Sequence, residues 1–353
     1  MTPSPGLGFK IPAATWPALA FAGPLFTHLV LFNLVFGGLG PEIADFRVKP
    51  PAAFAPGPET VARLTYALAC AVFFLAAVPA FVYAIVTIAN RRGRPAGYAV
   101  AVFALLVGLV TFTSDEWVGD HVEAGTGFGW LAWLSELVNS NRVSIGESLR
   151  NAVVEVPRMQ VGAVLDPDRE EHFMLIGALA GGVGTATTSA LVLRFAEIAW
   201  PDRIGPELAG AAEVEDLHRR WQALRTTLLF GGLVLTLAVV ATRSFYAWPL
   251  TFLDDDSVTL LTPIATFGSG FWGTLYTLTL VTAAMPVAIA LNTRIAAVAA
   301  DHVGPSVDDQ RAWREANRLL LYPREVLSGV LAAATPLLAS PAIEGLGRVL
   351  GGG

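Results

Sequence analysis

Seven long apolar stretches, separated by polar connections, constrain this chain more than any other feature. An α-helix needs about 20 mainly apolar residues to cross about 30 Å of hydrocarbon with its backbone groups satisfied. The composition agrees, because 54% of the residues are hydrophobic and only 15% are charged. The stretches occupy residues 15–38, 61–88, 97–113, 172–193, 226–241, 271–291 and 326–342. The sequence therefore predicts an all-α integral membrane protein, a bundle of about seven transmembrane helices that forms one domain over residues 1–353.

The first and last apolar stretches are less typical than the others. The first lacks a preceding basic segment and an obvious small-residue cleavage site, so we expect it to remain in the protein as a span. The last contains Pro336 and Pro341, and proline removes a backbone donor from a helix. A kinked or re-entrant helix is therefore the alternative to a complete seventh span.

The distribution of arginine predicts the orientation in the membrane. The turn at residues 90–94 contains three arginines and no acidic residue, and short loops of this kind face the cytoplasm. The connections at residues 194–225 and 292–325 fall on the same side, and each contains five arginines. The predicted topology has the N-terminus inside and the C-terminus outside. Arginine outnumbers lysine 21 to 2 and alanine and glycine are abundant, which favours a high-GC bacterial genome and an inner-membrane location.

The longest connection, residues 114–171, is predicted to face outward and contains 11 carboxylates against four arginines. Residues 128–138 are rich in aromatic side chains and weakly charged, which is typical of a helix lying in the interface plane. Ser144 and Glu147 match a capping box, in which each side chain satisfies a free backbone N–H. We expect a second short helix to begin there, so the acidic segment is predicted to be folded against the membrane.

Possible metal ligands are concentrated at the two ends of this outward segment. Glu116, Asp120 and His121 follow the third stretch, and His172 begins the fourth. Imidazole nitrogen and carboxylate oxygen could hold a divalent cation if the third and fourth helices are neighbours. The spacing matches no established metal signature. A solvated acidic rim and a docking surface for a basic partner are the alternative interpretations.

His28 is predicted to lie at mid-depth in the first span, where an ionisable group often marks a cofactor or a pathway. Met285 in the sixth stretch is at a comparable depth, so the two side chains could be the axial ligands of a b-type haem. A neutral histidine that donates a hydrogen bond to a facing helix is the alternative. The haem hypothesis is weakened because no second histidine occurs at mid-depth.

Small residues and charge-mixed segments suggest contacts within or between chains. Gly177 and Gly181 have the spacing that lets two helices approach closely, and residues 185–190 continue this small face. Packing within the bundle and packing against another subunit are both consistent with this pattern. Residues 213–225 and 308–324 are predicted to form short amphipathic helices on the membrane surface, with binding to a cytoplasmic subunit as the alternative.

The function predicted from these features is that of an integral membrane subunit or scaffold of a larger bacterial inner-membrane complex, without catalysis of its own. No catalytic residue is recognised, because Ser269 and His302 are predicted to lie at opposite ends of one span. A redox subunit that binds b-type haem or quinone is one alternative, and a channel or neutral-solute carrier is another. The expected partners are the lipid bilayer and other membrane subunits or a second copy, and no nucleic acid.

Overall fold

A computed structural model of the chain describes residues 17–20, 22, 56–113, 167–200, 211–251, 254–317, 319 and 334–335. All regular secondary structure within these residues is helical. Most of the first and seventh predicted spans lies outside the described residues, and so does nearly all of the outward acidic segment. The interfacial helices expected there stay predictions.

Six helices have both ends among the described residues. They are α1 (Pro56–Arg92), α2 (Arg94–Thr113), α3 (Pro167–Ala199), α4 (Ala211–Leu250), α5 (Asp255–Val303) and α6 (Val307–Ala316). Successive helices run in opposite directions. The ends of α1 and α3 and the starts of α2 and α4 therefore lie on the same side of the bundle. We call this side of the bundle the arginine end, because it carries Arg91 and Arg92, and the other side the opposite end.

Five of these helices are long and apolar enough to cross a membrane, namely Gly57–Arg92, Arg94–Phe112, Leu175–Ala199, Ala212–Trp248 and Ser269–Val303. They contain the second to sixth stretches predicted from sequence. The structure therefore supports a multi-pass membrane protein. Packing within the bundle places α3 against α1 and α2, and α4 against α1 and α5.

Small side chains pack between the helices, while large aliphatic side chains lie on the exterior. On α1, Ala77, Ala80 and Ala84 follow one helical face and are completely buried. Leu75 and Val82 lie on the exposed side, at 76% and 50% exposure. Lipid is as apolar as leucine, so close helix packing contributes more here than burial of large side chains. This pattern is the one expected of helices whose surroundings are hydrocarbon.

The backbones of α2 and α3 approach closely at Gly108 on α2 and Gly182 on α3. A Cβ atom added at Gly108 would lie 2.6 Å from the Gly182 carbonyl oxygen and 2.8 Å from the Ala186 Cβ. A Cβ atom added at Gly184 would lie 3.2 Å from the ring of Phe73 on α1. The small face of α3 therefore packs within this chain, which was one of the two possibilities open from the sequence. Gly181 lies outside these contacts, because a Cβ there would meet nothing within 4 Å.

At the arginine end, α4 and α5 extend beyond their apolar segments. We call these extensions, together with α6, the stalk. With 40 and 49 residues, α4 and α5 are about 60 and 74 Å long, and their excess over a hydrocarbon layer of about 30 Å lies at both ends. The prediction of a separate surface helix at residues 213–225 was wrong, because these residues belong to α4 and continue into its span. Within the second predicted segment, 308–324, the structure has the shorter helix α6, and its position on the membrane surface stays a prediction.

The stalk has a hydrophobic core of its own. Leu217 of α4, Ile295 and Val298 of α5, and Leu319 after α6 are buried together, and Trp313 of α6 packs against them. The pair between Arg294 and Glu213, at 3.4 Å, joins α5 to α4 beside this core. We define the stalk as the part of α4 before Arg220, the part of α5 after Leu291, and α6.

Substitution of Gly108 tests the contact between α2 and α3. We expect Gly108→Ala to lower the stability of the protein in detergent by about 1–3 kcal/mol, because the new methyl group clashes with backbone that cannot move away. Gly181→Ala is the matched control and should be neutral or stabilising by up to about 1 kcal/mol. Thermal melting of both variants measures the difference. Equal melting temperatures would contradict the packing described here.

Candidate functional site

A cluster of arginines and carboxylates joins three helices at the arginine end. The last two residues of α1 are Arg91 and Arg92. On α3, Arg194 and Glu197 are three residues apart and so lie on the same face of the helix. On α4, Asp216 and Arg220 are four residues apart and form an ion pair at 2.7 Å. The up-and-down topology then brings all three helix ends to the same place.

Arg91 connects the helices by bonding to carboxylates on two of them. Its Nε lies 3.1 Å from Glu197 Oε1 on α3, and its Nη2 lies 2.8 Å from Asp216 Oδ1 on α4. Arg92 and Arg194 also contact Glu197, so this carboxylate forms ion pairs with three guanidinium groups and accepts a hydrogen bond from Arg194. The ends of α1, α3 and α4 are therefore held in one register by charged hydrogen bonds.

Arg220 closes the cluster against the end of α3. Its Nη1 donates to the carbonyl oxygens of Ile198 at 2.9 Å and Trp200 at 2.5 Å, while its Nε donates to Asp216. The last carbonyls of a helix lack intrahelical donors and carry partial negative charge. A buried guanidinium satisfies them and ends the helix at a defined residue.

The cluster is shielded from solvent to an unusual degree. Arg220 is 1% exposed, Arg194 is 5% exposed and Glu197 is 8% exposed. Charged groups are rarely buried unless they are paired, because desolvation costs several kcal/mol per ion. Among the described residues, four guanidinium groups contact two carboxylates, and both the Nε of Arg194 and the Oε1 of Glu197 are buried without a hydrogen-bond partner. The cluster is therefore a poorly solvated contact between charged groups of three helices.

A second polar cluster holds the opposite end of the bundle. Glu59 on α1 is 4% exposed, and its carboxylate accepts from the indole of Trp248 on α4 at 3.1 Å. Arg63 lies 3.5 Å from the same carboxylate oxygen. On α5, the hydroxyl of Ser269 accepts a bond from Arg243 at 3.5 Å. Both ends of α4 are thus fixed to neighbouring helices through polar side chains.

Hydroxyl groups within the apolar helices are satisfied by backbone carbonyls. Thr187 donates across to the Ala77 carbonyl of α1 at 3.4 Å, which adds a polar contact between helices. Most other threonines donate to the carbonyl four residues earlier on their own helix, as do Thr65, Thr87, Thr111, Thr185, Thr227, Thr236, Thr242, Thr274, Thr279, Thr282 and Thr293. These hydroxyl groups therefore have hydrogen-bond partners within the helices themselves.

The structure describes only some of the predicted site residues. Met285 lies on the exposed side of α5, at 59% exposure, so it does not point into the core of the described helices. His28, proposed as its haem partner, lies outside the described residues, and the haem pair stays a prediction.

The proposed outward metal ligands cannot be placed as a set. Glu116, Asp120 and His121 lie outside the described residues, and His172 is in the first turns of α3 with a side chain that is not described. Within the described part of the chain, no group of three His, Cys, Asp or Glu side chains is arranged for a metal ion. The metal site at the ends of the outward segment stays a prediction.

The separation predicted for Ser269 and His302 is confirmed. Both lie on α5, 33 residues apart by their numbers, which corresponds to about 50 Å along a helix. The Ser269 hydroxyl donates to the Thr266 carbonyl at 2.8 Å, and His302 contacts the Val298 carbonyl and the ring of Trp313. A direct partnership between this serine and this histidine is excluded.

The buried cluster was missed because each of its arginines was counted only as loop charge. The sequence does contain a signal for it. An acidic residue one turn from an arginine occurs in Arg194 with Glu197 and again in Asp216 with Arg220, at the edges of two apolar stretches. Charged pairs beside a span favour polar contacts between helices over a purely solvated loop.

Comparison with known protein families, curated proteins and solved structures finds no match to this chain.

Neighbouring arginines on α4 provide a matched test of the cluster. Arg220→Gln should lower stability by about 3 kcal/mol, because it leaves the carbonyls of Ile198 and Trp200 without their charged donor and removes one of the two guanidinium partners of Asp216. Arg219→Gln removes an exposed pair with Glu215, whose side chain is 58% exposed, and should cost about 0.5 kcal/mol or less. Thermal or denaturant unfolding of both variants in detergent gives the comparison. A similar loss in both would show that the cluster does not hold the helices.

Proposed function

We propose that this chain is a non-catalytic membrane subunit that anchors a partner protein to the arginine end of its helix bundle. The helical stalk is the observation that supports this proposal. A chain that only needed to cross the bilayer would not require α4 and α5 to continue as a paired structure with its own core. In this account the stalk is the docking platform, and the bundle is the anchor.

The outer surface of the stalk suits a polar protein partner. On α6, Asp308, Arg311 and Glu315 are exposed and mix both signs of charge, while Trp313 packs inward beside Leu217. The helix is capped by Ser306, whose hydroxyl accepts from the Asp309 N–H, so its position is well defined. Exposed mixed charge on a rigid helix favours specific docking through complementary charges.

The buried clusters support a structural role for the bundle itself. Charged and polar groups at both ends bond to one another across helices, as in the pairs of Arg91 with Asp216 and Trp248 with Glu59. Groups engaged in this way hold the bundle in one arrangement. A rigid bundle would keep the platform in a fixed position relative to the membrane.

The proposal includes an orientation, with the arginine end in the cytoplasm of a bacterial cell and the protein in the inner membrane. Positive charge retained on the cytoplasmic side is its physical basis. The partner would then be a cytoplasmic protein, or the cytoplasmic part of another membrane subunit.

Labelling of introduced cysteines tests the orientation. In a Cys70→Ala background, Pro95→Cys places a thiol at the turn after α1, and Asp256→Cys places one at the opposite end; both native residues are exposed. We expect a membrane-impermeant maleimide added to intact spheroplasts to label the Asp256→Cys variant only. Both should react after lysis. Labelling of the Pro95→Cys variant alone would reverse the proposed orientation.

Purification with a matched charge exchange tests the platform. A second chain should co-purify with the wild-type protein in mild detergent at a fixed ratio. Its yield should fall at least about tenfold in an Arg311→Glu and Glu315→Arg double variant, which reverses the surface pattern but keeps the net charge and a favourable helical pair. Asp256→Arg, at the opposite end, is the control and should retain the partner.

Two outcomes would contradict this account. A wild-type protein that elutes alone as a stable monomer would count against the subunit proposal as a whole. A partner that is retained at full ratio by the double variant would show that docking does not occur on α6. Quantitative mass spectrometry of the eluted chains distinguishes these results.

A further inference from the structure

We infer that the stalk holds the first half of α6 in water beyond the lipid headgroups, where a soluble protein domain can reach its exposed face and the membrane surface cannot. The inference deepens the proposed function and rests on it only for the existence of a partner. Three observations support it: the level at which hydrocarbon ends on four helices, the length of α5 beyond that level, and the packing of Trp313.

One face of α5 shows where hydrocarbon ends on the side of the stalk. Val281, Met285 and Ile289 follow one another four positions apart, and all three are exposed apolar side chains. The same face continues with Thr293 and, about two turns later, with Asp301, which are also exposed. Exposed apolar side chains suit acyl chains, whereas an exposed carboxylate requires water. The hydrocarbon edge therefore crosses α5 near Thr293.

Three other helices change character at the same level. On each of them, an exposed apolar or aromatic residue is followed four positions nearer the arginine end by an exposed polar residue. The pairs are Val86 with Asn90 on α1, Tyr98 with Arg94 on α2, and Leu229 with Arg225 on α4. Contacts between the helices align these levels, because the rings of Tyr83 and Phe230 are 4.9 Å apart and Leu224 and Leu291 share one core. The four helices thus define a single plane, as a bilayer surface requires.

The helix α5 continues far enough beyond this plane to clear the headgroups. Val303, its last residue, lies about 15 Å further along the helix than Thr293. A headgroup layer is about 5–8 Å thick on each side, and a helix tilt of about 20° shortens this projection of α5 only to about 14 Å. Gln310 of α6 donates to the carbonyl of Gly304, directly after α5, at 2.9 Å. The first half of α6 is therefore held beside the end of α5, on the water side of the headgroups.

The apolar side of α6 packs against the stalk and not against lipid. Trp313 contacts the stalk core, and its ring lies 5.1 Å from the ring of His302. A helix in the membrane interface buries a broad apolar face among acyl chains, and the exposed Val307 alone does not supply one. Three carboxylates and one arginine are exposed on α6, a balance that an anionic lipid surface repels. They are Asp308, Asp309, Glu315 and Arg311.

Quenching of a fluorescent label by spin-labelled lipids tests the inference. In a Cys70→Ala background, Ile289→Cys and Arg311→Cys each carry one environment-sensitive fluorophore, and the full chain is reconstituted into vesicles of equal parts phosphatidylcholine and phosphatidylglycerol. A small fraction of the lipid carries a spin label, either on the headgroup or high on the acyl chain. We expect the label at position 289 to lose most of its emission to the acyl-chain quencher. The label at position 311 should keep its emission with both quenchers.

Two matched controls lie on the same face of α5. A label on Thr293→Cys should be quenched best by the headgroup label, and a label on Asp301→Cys should keep most of its emission, because it lies about 12 Å further along the helix. Thermal melting of each labelled variant establishes that the protein is folded.

Either of two results would overturn the inference. Quenching at position 311 by the headgroup label would show that α6 lies on the membrane surface. Lack of quenching at position 289 by the acyl-chain label would show that the hydrocarbon edge is elsewhere. The measurement needs no partner protein, so a chain that purifies alone would contradict the proposed function without changing the depth of α6.

Discussion

Charged hydrogen bonds between helix ends are the interaction on which the described arrangement depends. Helices that face hydrocarbon gain little from burying leucine or valine against one another, so apolar side chains alone define their register weakly. Small residues allow close approach, as at Gly108 and Gly182, but a small face allows more than one sliding position. The pairs of Arg91 with Glu197 and Asp216 remove this freedom, since each requires one relative position of three helices.

The same arrangement connects the membrane part of the chain to the stalk. Asp216 and Arg220 lie at the point where α4 leaves the cluster and enters the stalk, and Leu217 between them packs into the stalk core. A displacement at either side would therefore disturb the other. This continuity makes the bundle and the stalk one structural unit, as the proposed docking role requires.

Much of the fold could be predicted from the sequence, because hydrophobic length has a direct physical meaning in a membrane. The second to sixth apolar stretches each lie within a long helix. The ends were harder to predict. Charge in residues 213–225 suggested a loop with a surface helix, whereas tertiary contacts at Leu217 and Arg220 keep the helix of α4 continuous.

The candidate site was much less predictable than the fold. Its arginines come from three helices that are distant in sequence, as in the pair of Arg91 and Asp216, and one chain alone does not reveal which helix ends meet. Sequence reasoning gave most weight to His28 and Met285, because a histidine inside a span is unusual. Met285 is on the exposed side of its helix, and that orientation depends on packing that hydropathy does not encode.

A double-mutant cycle between Arg91 and Asp216 tests the central claim most directly. These side chains are 2.8 Å apart across α1 and α4, although they are separated by 125 positions in the chain. Unfolding of Arg91→Gln, Asp216→Asn and the double variant gives the coupling energy between them. The account predicts a coupling of about 1–3 kcal/mol. Strictly additive effects would mean that the two residues do not interact, and that the helix ends are not held together by the cluster described here.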